Sequence, residues 1–311
     1  MNKFALLCPG QGAQSVDMFA LANQHMQAAS FLHGVLNRKI GQHTLADALS
    51  SPDLLFENRY AQPLIVAATL ANWLALRDNL PQPDLIAGYS IGEIAAHAVS
   101  ASMDAQAALQ LATTRASLMQ ACVHDPQRML AVSGVAIADI EKFAASHDLH
   151  VAIITADNKA IIAGLAEHIS AAIPEIARLP GHDITRTEIA VHIASHTPLM
   201  LAAVPGFAQA LNDTPMHETS VPVLAGINAE KVTEPAIIRS SLLAQLTRTI
   251  QWHACMDALA ENGISYVLEL GPGSALSKML QTRHPHIACR SIADFRSLDG
   301  VIQWIRRQNE N

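Results

Sequence analysis

Cysteine is scarce in this 311-residue chain. Its four cysteines, Cys8, Cys122, Cys255 and Cys289, are far apart. No CxxC pair is present, which argues against a zinc knuckle or a thioredoxin-type redox site. So sparse a set in a chain this long points to a reducing cytoplasm. Charge is also thin: 15% of residues are Asp, Glu, Lys or Arg, against a usual ~25%, which argues against disorder and coiled coil. Positive charge is in deficit, with 20 Lys and Arg against 27 Asp and Glu and a net charge of −7. General binders of nucleic acid or of anionic membranes want the opposite sign. Long apolar runs are missing too. The longest, Pro63 to Leu76, is interrupted by Thr69 and Asn72 and is shorter than the ~20 residues that cross a bilayer. The apolar stretch Phe4 to Cys8 ends at Pro9-Gly10, short of a secretory core. The expectation is a soluble cytoplasmic protein that binds neither nucleic acid nor membrane.

What is present is a large apolar inventory. Half the residues are hydrophobic, enough for a sizeable core, and the length suits one large or two modest domains. Phe4 to Cys8 reads as a buried strand running into the loop Pro9-Gly10-Gln11-Gly12. Helical periodicity follows from about Asp17, with a break near Gly41. Gln62 to Leu76 reads as a buried helix with Pro63 in its first turn. Leu85 to Ala87 is a short strand, Glu93 to Ser100 begins a helix, and a further helix runs from about Asp104 to Cys122.

The pattern then changes. Strands at 129–135, 150–155, 160–165 and 184–191 alternate with helices at 138–146 and 167–179. That order, β-α-β-β-α-β, is the split arrangement of ferredoxin-like modules. It predicts a small subdomain over 126–192 inserted in a larger α/β domain of 1–125 and 193–311. The larger domain resumes with a helix over Pro198–Leu211, a strand at Val221–Leu224, helices at Ala236–Gln245 and His253–Asn262, and a strand at Tyr266–Leu270. Strands alternating with helices predict a mainly parallel sheet covered on both faces.

Gly88-Tyr89-Ser90-Ile91-Gly92 is a GxSxG between an apolar strand and a helix, the setting in which a serine on a sharp turn serves as a nucleophile. An ordinary strand–helix turn would give the same five letters. The context favours the nucleophile, because a helix beginning near Ile91 offers free N–H groups and a positive dipole end beside Ser90. A serine hydroxyl needs a base. Fifteen histidines compete for that role. His196, where the insert returns to the main domain, is one candidate. His192 lies close by, and the pair His284 and His286 fits a surface turn at least as well.

Several motifs coincide in order along the chain. Pro9-Gly-Gln-Gly-Ala-Gln14, Gly88 to Glu93, Arg115 with Met119-Gln120, Ser195-His196, Gln245-Leu246 with Trp252, and Glu269-Leu-Gly-Pro-Gly273 resemble the marker motifs of the malonyl-CoA:acyl-carrier-protein transacylases. Their span, residues 9 to 273, covers nearly the whole chain. The resemblance implies an α/β-hydrolase-like core with a mainly parallel sheet and an inserted ferredoxin-like (βαββαβ) subdomain. It implies that Ser90 attacks a thioester and holds the acyl group as an ester, and that His196 acts as its base and is oriented by a main-chain carbonyl of Gln245. The N–H groups of Gln11 and Ile91 would form an oxyanion hole. Arg115 would hold the malonyl carboxylate, with Gln62 and Met119 lining the pocket. On residues alone, an arginine paired with a structural carboxylate is the favoured reading of Arg115, and Gln62 could be a helix N-terminal residue. No cofactor is implied beyond the CoA thioester itself, and no metal.

The sequence departs from the family pattern at Tyr89, where histidine usually precedes the nucleophile. It also departs at Ala194 and at Thr249-Ile250, where prolines are common. The GYSxGE form resembles the transacylase (epsilon) subunit of malonate decarboxylase. The resemblance therefore implies malonyl transfer from malonyl-CoA to an acyl carrier protein, that of malonate decarboxylase. The alternatives are a malonyl transacylase of fatty-acid or polyketide synthesis, a serine esterase or thioesterase, and a non-catalytic carrier-binding subunit. Lys278, Arg283, Arg290, Arg296, Arg306 and Arg307 form a basic run that could dock an acidic carrier or simply be a solvated helical face.

Overall fold

A computed structural model describes residues 2–310. The first strand, Lys3–Cys8, is buried at every position after Lys3, and its two faces feed two cores. Phe4, Leu6 and Cys8 join Leu64, Ile65 and Leu268 on one side. Ala5 and Leu7 join Trp252, Cys255 and Val267 on the other. Burial on both faces is what a central parallel strand requires. Lys3–Cys8 pairs in parallel with Leu85–Gly88 and with Ile264–Glu269. The six-stranded sheet extends through Val223–Leu224 to Lys231–Val232 at one edge and to Ala288–Ser291 at the other. Within this sheet, among the described residues, only the Val223–Leu224 and Lys231–Val232 pair is antiparallel. The protein thus has an α/β fold built on a mainly parallel sheet.

Three helical expectations change in detail. The central helix is Asn58–Leu76, so Pro63 lies inside it rather than in its first turn. A proline there removes one ladder bond and costs ~3 kcal/mol or more, and burial of the apolar run Leu64–Ala68 offsets it. The segment after Asp17 is not a continuous helix. Turn bonds from Met18 N–H to Ser15 and from Ala20 N–H to Asp17 intervene, and the helix proper is Met26–Leu36. Gly41, with φ of 63°, turns a minimal hairpin between Lys39–Ile40 and His43–Thr44. The segment after Pro198 splits into a 3-10 turn, Pro198–Ala203, and an α-helix, Val204–Asp213, because Pro205 has no N–H to continue the ladder.

A second sheet is built from Gln127–Val135, His150–Ala156, Lys159–Leu165 and Gly181–Ile189, with helices Ile137–Ser146 and Ala166–Ile176 between them. The four strands pair antiparallel. Alternation along Gln127–Val135 separates the faces. Leu130 and Val132 pack against Ile140, Phe143 and Ile169, whereas Met129 and Ala131 join the cluster shared with the main sheet. A fifth strand, Ile250–Gln251, comes from the segment assigned to the larger domain and pairs in parallel with Ile153–Ile154. Thr249 donates its hydroxyl to Val151 O at 2.7 Å. No described helix is long and apolar enough to cross a membrane.

Candidate active site

Three loops meet at the C-terminal ends of adjacent parallel strands, the usual place for a site in an α/β sheet. They follow Cys8, Gly88 and Glu269. Tyr89 N–H donates to Cys8 O at 2.9 Å, and Leu270 N–H donates to Leu7 O at 2.8 Å. The serine turn is sharp because two glycines permit it. A Cβ on Gly88 would meet the Glu93 Cα at 2.3 Å, and one on Gly92 would meet Cys8 O at 2.1 Å. Ser90 itself has φ of 55°, a left-handed conformation that a non-glycine residue keeps only when its surroundings hold it there. The helix Gly92–Val99 starts directly behind it.

His196 reaches Ser90 from the loop that leaves the second sheet. Gln127 Oε1 accepts from Ala194 N–H at 2.8 Å, and Thr197 Oγ1 donates to Ala194 O at 2.6 Å, which fixes that loop. His196 Nε2 lies 2.8 Å from Ser90 Oγ, and its Nδ1 lies 2.6 Å from Gln245 O. A carbonyl only accepts, so Nδ1 carries the proton and Nε2 is free to accept from the serine hydroxyl. Burial first, then the nearby Arg115 charge, pushes His196 down to about 3, against the pull of the Gln245 carbonyl. The imidazole is therefore neutral at pH 7, as a general base must be. Among the described residues no carboxylate touches it.

Behind this pair runs a second set of bonds. The helix Ala105–Ala121, capped by Asp104 Oδ1 on Ala107 N–H, carries Arg115, which is 1% exposed. Its Nη1 donates to Gln62 Oε1 at 2.8 Å and its Nη2 to Gln245 Oε1 at 3.1 Å. Gln62 Nε2 in turn donates to Asn58 Oδ1 at 2.6 Å and touches Met119 Sδ at 3.5 Å. Burial lowers Arg115 to about 10, opposed by Glu93, so it stays cationic at neutral pH. The bland alternative, a direct ion pair with a structural carboxylate, is not what the described residues form. Two of the five guanidinium donors are bonded to neutral amide oxygens, and the rest of the fork is free.

The sequence-selected residues divide as follows. Ser90, His196, Gln245, Arg115, Gln62 and Met119 form one connected cluster. Gln11 lines the open cavity beside Ser90, and Ile91 is buried directly behind the serine. Neither backbone N–H is engaged by another described residue, so both are available as donors. The cavity measures about 460 Å³ and is largely apolar, with Met129, Ile153, Ile161, Val191, Leu276 and Met279 in its wall. Arg115, Gln62 and Met119 are fully buried and are not among the cavity's lining residues. His192 is exposed and does not line this cavity. His284 Nε2 is held by Asp257 Oδ1 at 2.8 Å. Arg283 is likewise unavailable for docking, because it forks onto Asp257 at 2.6 and 2.7 Å and reaches Asp157 at 3.1 Å. Tyr89 packs edge-on against Trp252, with ring centroids 5.2 Å apart.

Sequence reasoning gave no role to two buried carboxylates. Glu93 Oε2 accepts from Gln245 Nε2 at 2.5 Å and from Gly226 N–H at 3.1 Å. Glu269 lines the cavity and accepts from Ser277 N–H at 2.8 Å. Burial, the largest influence on each, raises both to about 7. Glu93 sits in the first turn of its helix, where an acidic residue is expected simply for the dipole. That ordinary explanation conceals its place beside Gln245.

A serine on a strained strand–helix turn, with a neutral imidazole in hydrogen-bond contact and two free backbone amides at hand, is equipped for covalent acyl transfer. Residues 5–309 match the acyl transferase domain family, and the chain belongs to that family of acyltransferase enzymes. Among its relatives, the malonyl CoA-acyl carrier protein transacylase of Mycobacterium tuberculosis (strain ATCC 25618 / H37Rv) is 30% identical over 299 residues, covering 95% of this chain and 98% of the relative. That of Haemophilus influenzae is 27% identical over 321 residues, covering 98% and 100%. The crystal structure of FabD from Acinetobacter baumannii superposes with a TM-score of 0.89 at 28% identity, covering 98% and 99% of the two chains.

Proposed function

We propose that this acyltransferase moves malonyl from CoA to the thiol of an acyl carrier protein through an ester on Ser90. The observation that carries the reading is the buried Arg115 fork, joined by the single residue Gln245 to the Ser90–His196 pair. A cation held without a carboxylate partner beside an acyl-accepting serine suits a short acyl group that ends in a carboxylate. Ser90 attacks the thioester carbonyl as its proton passes to His196 Nε2. The N–H groups of Gln11 and Ile91 receive the oxyanion. His196 then protonates the departing CoA sulfur, and the same steps run in reverse with the carrier thiol.

The finer reading is that the carrier is that of malonate decarboxylase, supported by Tyr89 in a GYSxGE turn. A malonyl transacylase of fatty-acid or polyketide synthesis fits the matched relatives equally well. One experiment tests both levels. The protein is incubated with malonyl-CoA, intact mass is read, and each class of carrier is then added separately. Ser90 should gain one malonyl group, and Ser90→Ala should gain none. Normal acylation of that variant would end the serine reading. Rapid release of free malonate without a carrier would make the protein a thioesterase. Transfer to a fatty-acid carrier but not to the malonate decarboxylase carrier would reject the finer reading alone.

A further inference from the structure

A guanidinium buried as deeply as Arg115 needs a counter-charge, and Glu93 supplies it at one remove. Gln245 stands between the two. Its Nε2 donates to Glu93 Oε2 at 2.5 Å, and its Oε1 accepts from Arg115 Nη2 at 3.1 Å. The spacer matters. A direct two-pronged salt bridge would occupy the face of the fork that recognises carboxylates. With an amide in between, the charge is balanced while donors stay free. The other oxygen, Glu93 Oε1, is buried without a partner, so it is open to a proton.

If Arg115 receives a malonyl carboxylate, as the function proposed above requires, the balance is upset. The empty site holds one cation and one anion. A malonyl group adds a second anion to a crevice with little water. We propose that Glu93 is the counter-ion of Arg115 in the empty enzyme and takes up a proton from solution when a malonyl carboxylate occupies the guanidinium, making malonyl selectivity proton-linked. The acyl step balances without it: the Ser90 hydroxyl and malonyl-CoA give the Ser90 ester and CoA thiol, the serine proton passing through His196 to sulfur. The proton on Glu93 is additional, comes from bulk water and is released when the acyl group leaves.

The groups facing Glu93 support this assignment. Arg115 faces it from Ala105–Ala121, Cys255 from Trp252–Glu261, and His196 stands behind Gln245. His97 lies farther along Glu93's own helix. Burial together with Glu93 holds the Cys255 thiol up and neutral. His97 and His196, both pushed down to about 3, are neutral, and Arg115 at about 10 stays charged. Glu93, at about 7, is the member of this cluster that titrates near neutrality. Below that pH it is already protonated, and malonyl loading needs no uptake. Above it, loading weakens by up to about tenfold per pH unit.

The test is the malonyl-to-acetyl ratio of kcat/KM for Ser90 loading between pH 6 and 8.5. Wild type should lose about tenfold or more of that ratio across the range. Glu93→Gln, fixed in the neutral state, should hold it within about twofold. Glu269→Gln should keep the wild-type slope, which separates Glu93 from the other carboxylate at about 7. A flat wild-type ratio, or an equal slope in Glu93→Gln, overturns the proposal. If Glu93→Gln does not fold, an indicator dye in lightly buffered wild-type protein at pH 7.5 decides: malonyl loading should take up protons and acetyl loading none, and equal traces overturn it. Failure of both acyl-CoAs to add mass at Ser90 would strike the acyl-transfer reading itself. Loading without proton linkage strikes only the role of Glu93.

Discussion

Replacing Arg115 with methionine separates recognition of the acyl group from the chemistry. Methionine keeps much of the volume and removes the charge and the fork. In the native protein the fork is bonded to Gln62 Oε1 and Gln245 Oε1, with its remaining donors free for a carboxylate. Each hydrogen bond to a charged group is worth ~1.5–3 kcal/mol, so two parallel bonds to a malonyl carboxylate contribute about 3–6 kcal/mol to its transition state. That is roughly a 10²- to 10⁴-fold loss in kcat/KM for malonyl loading, at about 1.4 kcal/mol per factor of ten. Acetyl has no carboxylate and should change by less than about threefold. The variant also strands two amide oxygens, each at a cost of about 1–3 kcal/mol of stability, so its melting temperature should fall. The assay is a quenched time course of intact mass with each acyl-CoA, run well below that temperature. Arg115→Lys, which keeps charge but loses the planar fork, should fall between wild type and the methionine variant. Equal losses for malonyl and acetyl would refute the reasoning and leave Arg115 a structural residue.

Two further outcomes follow from the local geometry. His97 is buried with neither ring nitrogen partnered, so His97→Leu should raise stability by about 1–3 kcal/mol in denaturant melts. Because burial lowers His97 and His196 to about 3, wild-type stability from these groups is present above about pH 6.5 and is lost as pH falls toward 3. The leucine variant should show a shallower acid loss, and an unchanged acid slope would show that His97 is solvated. Gly92→Ala would place a Cβ 2.1 Å from Cys8 O and should cost about 3 kcal/mol or more together with most acylation. A variant that melts and acylates like wild type would mean that the turn relaxes easily.

Most elements of the fold were legible because their signals are local. The strand Lys3–Cys8 follows from an apolar run, and the helix Ala105–Ala121 from the helical periodicity that begins near Asp104. The order of elements across 127–189 could likewise be read from alternation. Pro63 misled because burial along Asn58–Leu76 outweighs a local penalty, and local propensity carries no information about burial. The short strand Ile250–Gln251 escaped notice because its partner, Ile153–Ile154, lies about a hundred residues away.

The same division holds at the site. Sequence alone nominated the candidates: a serine between glycines, a histidine at the return of an insert and, through the family resemblance, an arginine on the helix that begins near Asp104. Only the tertiary structure decided what those groups are. It placed the Gln245 side chain between Arg115 and Glu93. It also removed enough water to leave His196 neutral and Glu93 poised near neutrality. The physical reason is that charge state and hydrogen-bond direction depend on the burial and distance of groups far apart in the chain, and residue order fixes neither until the chain folds.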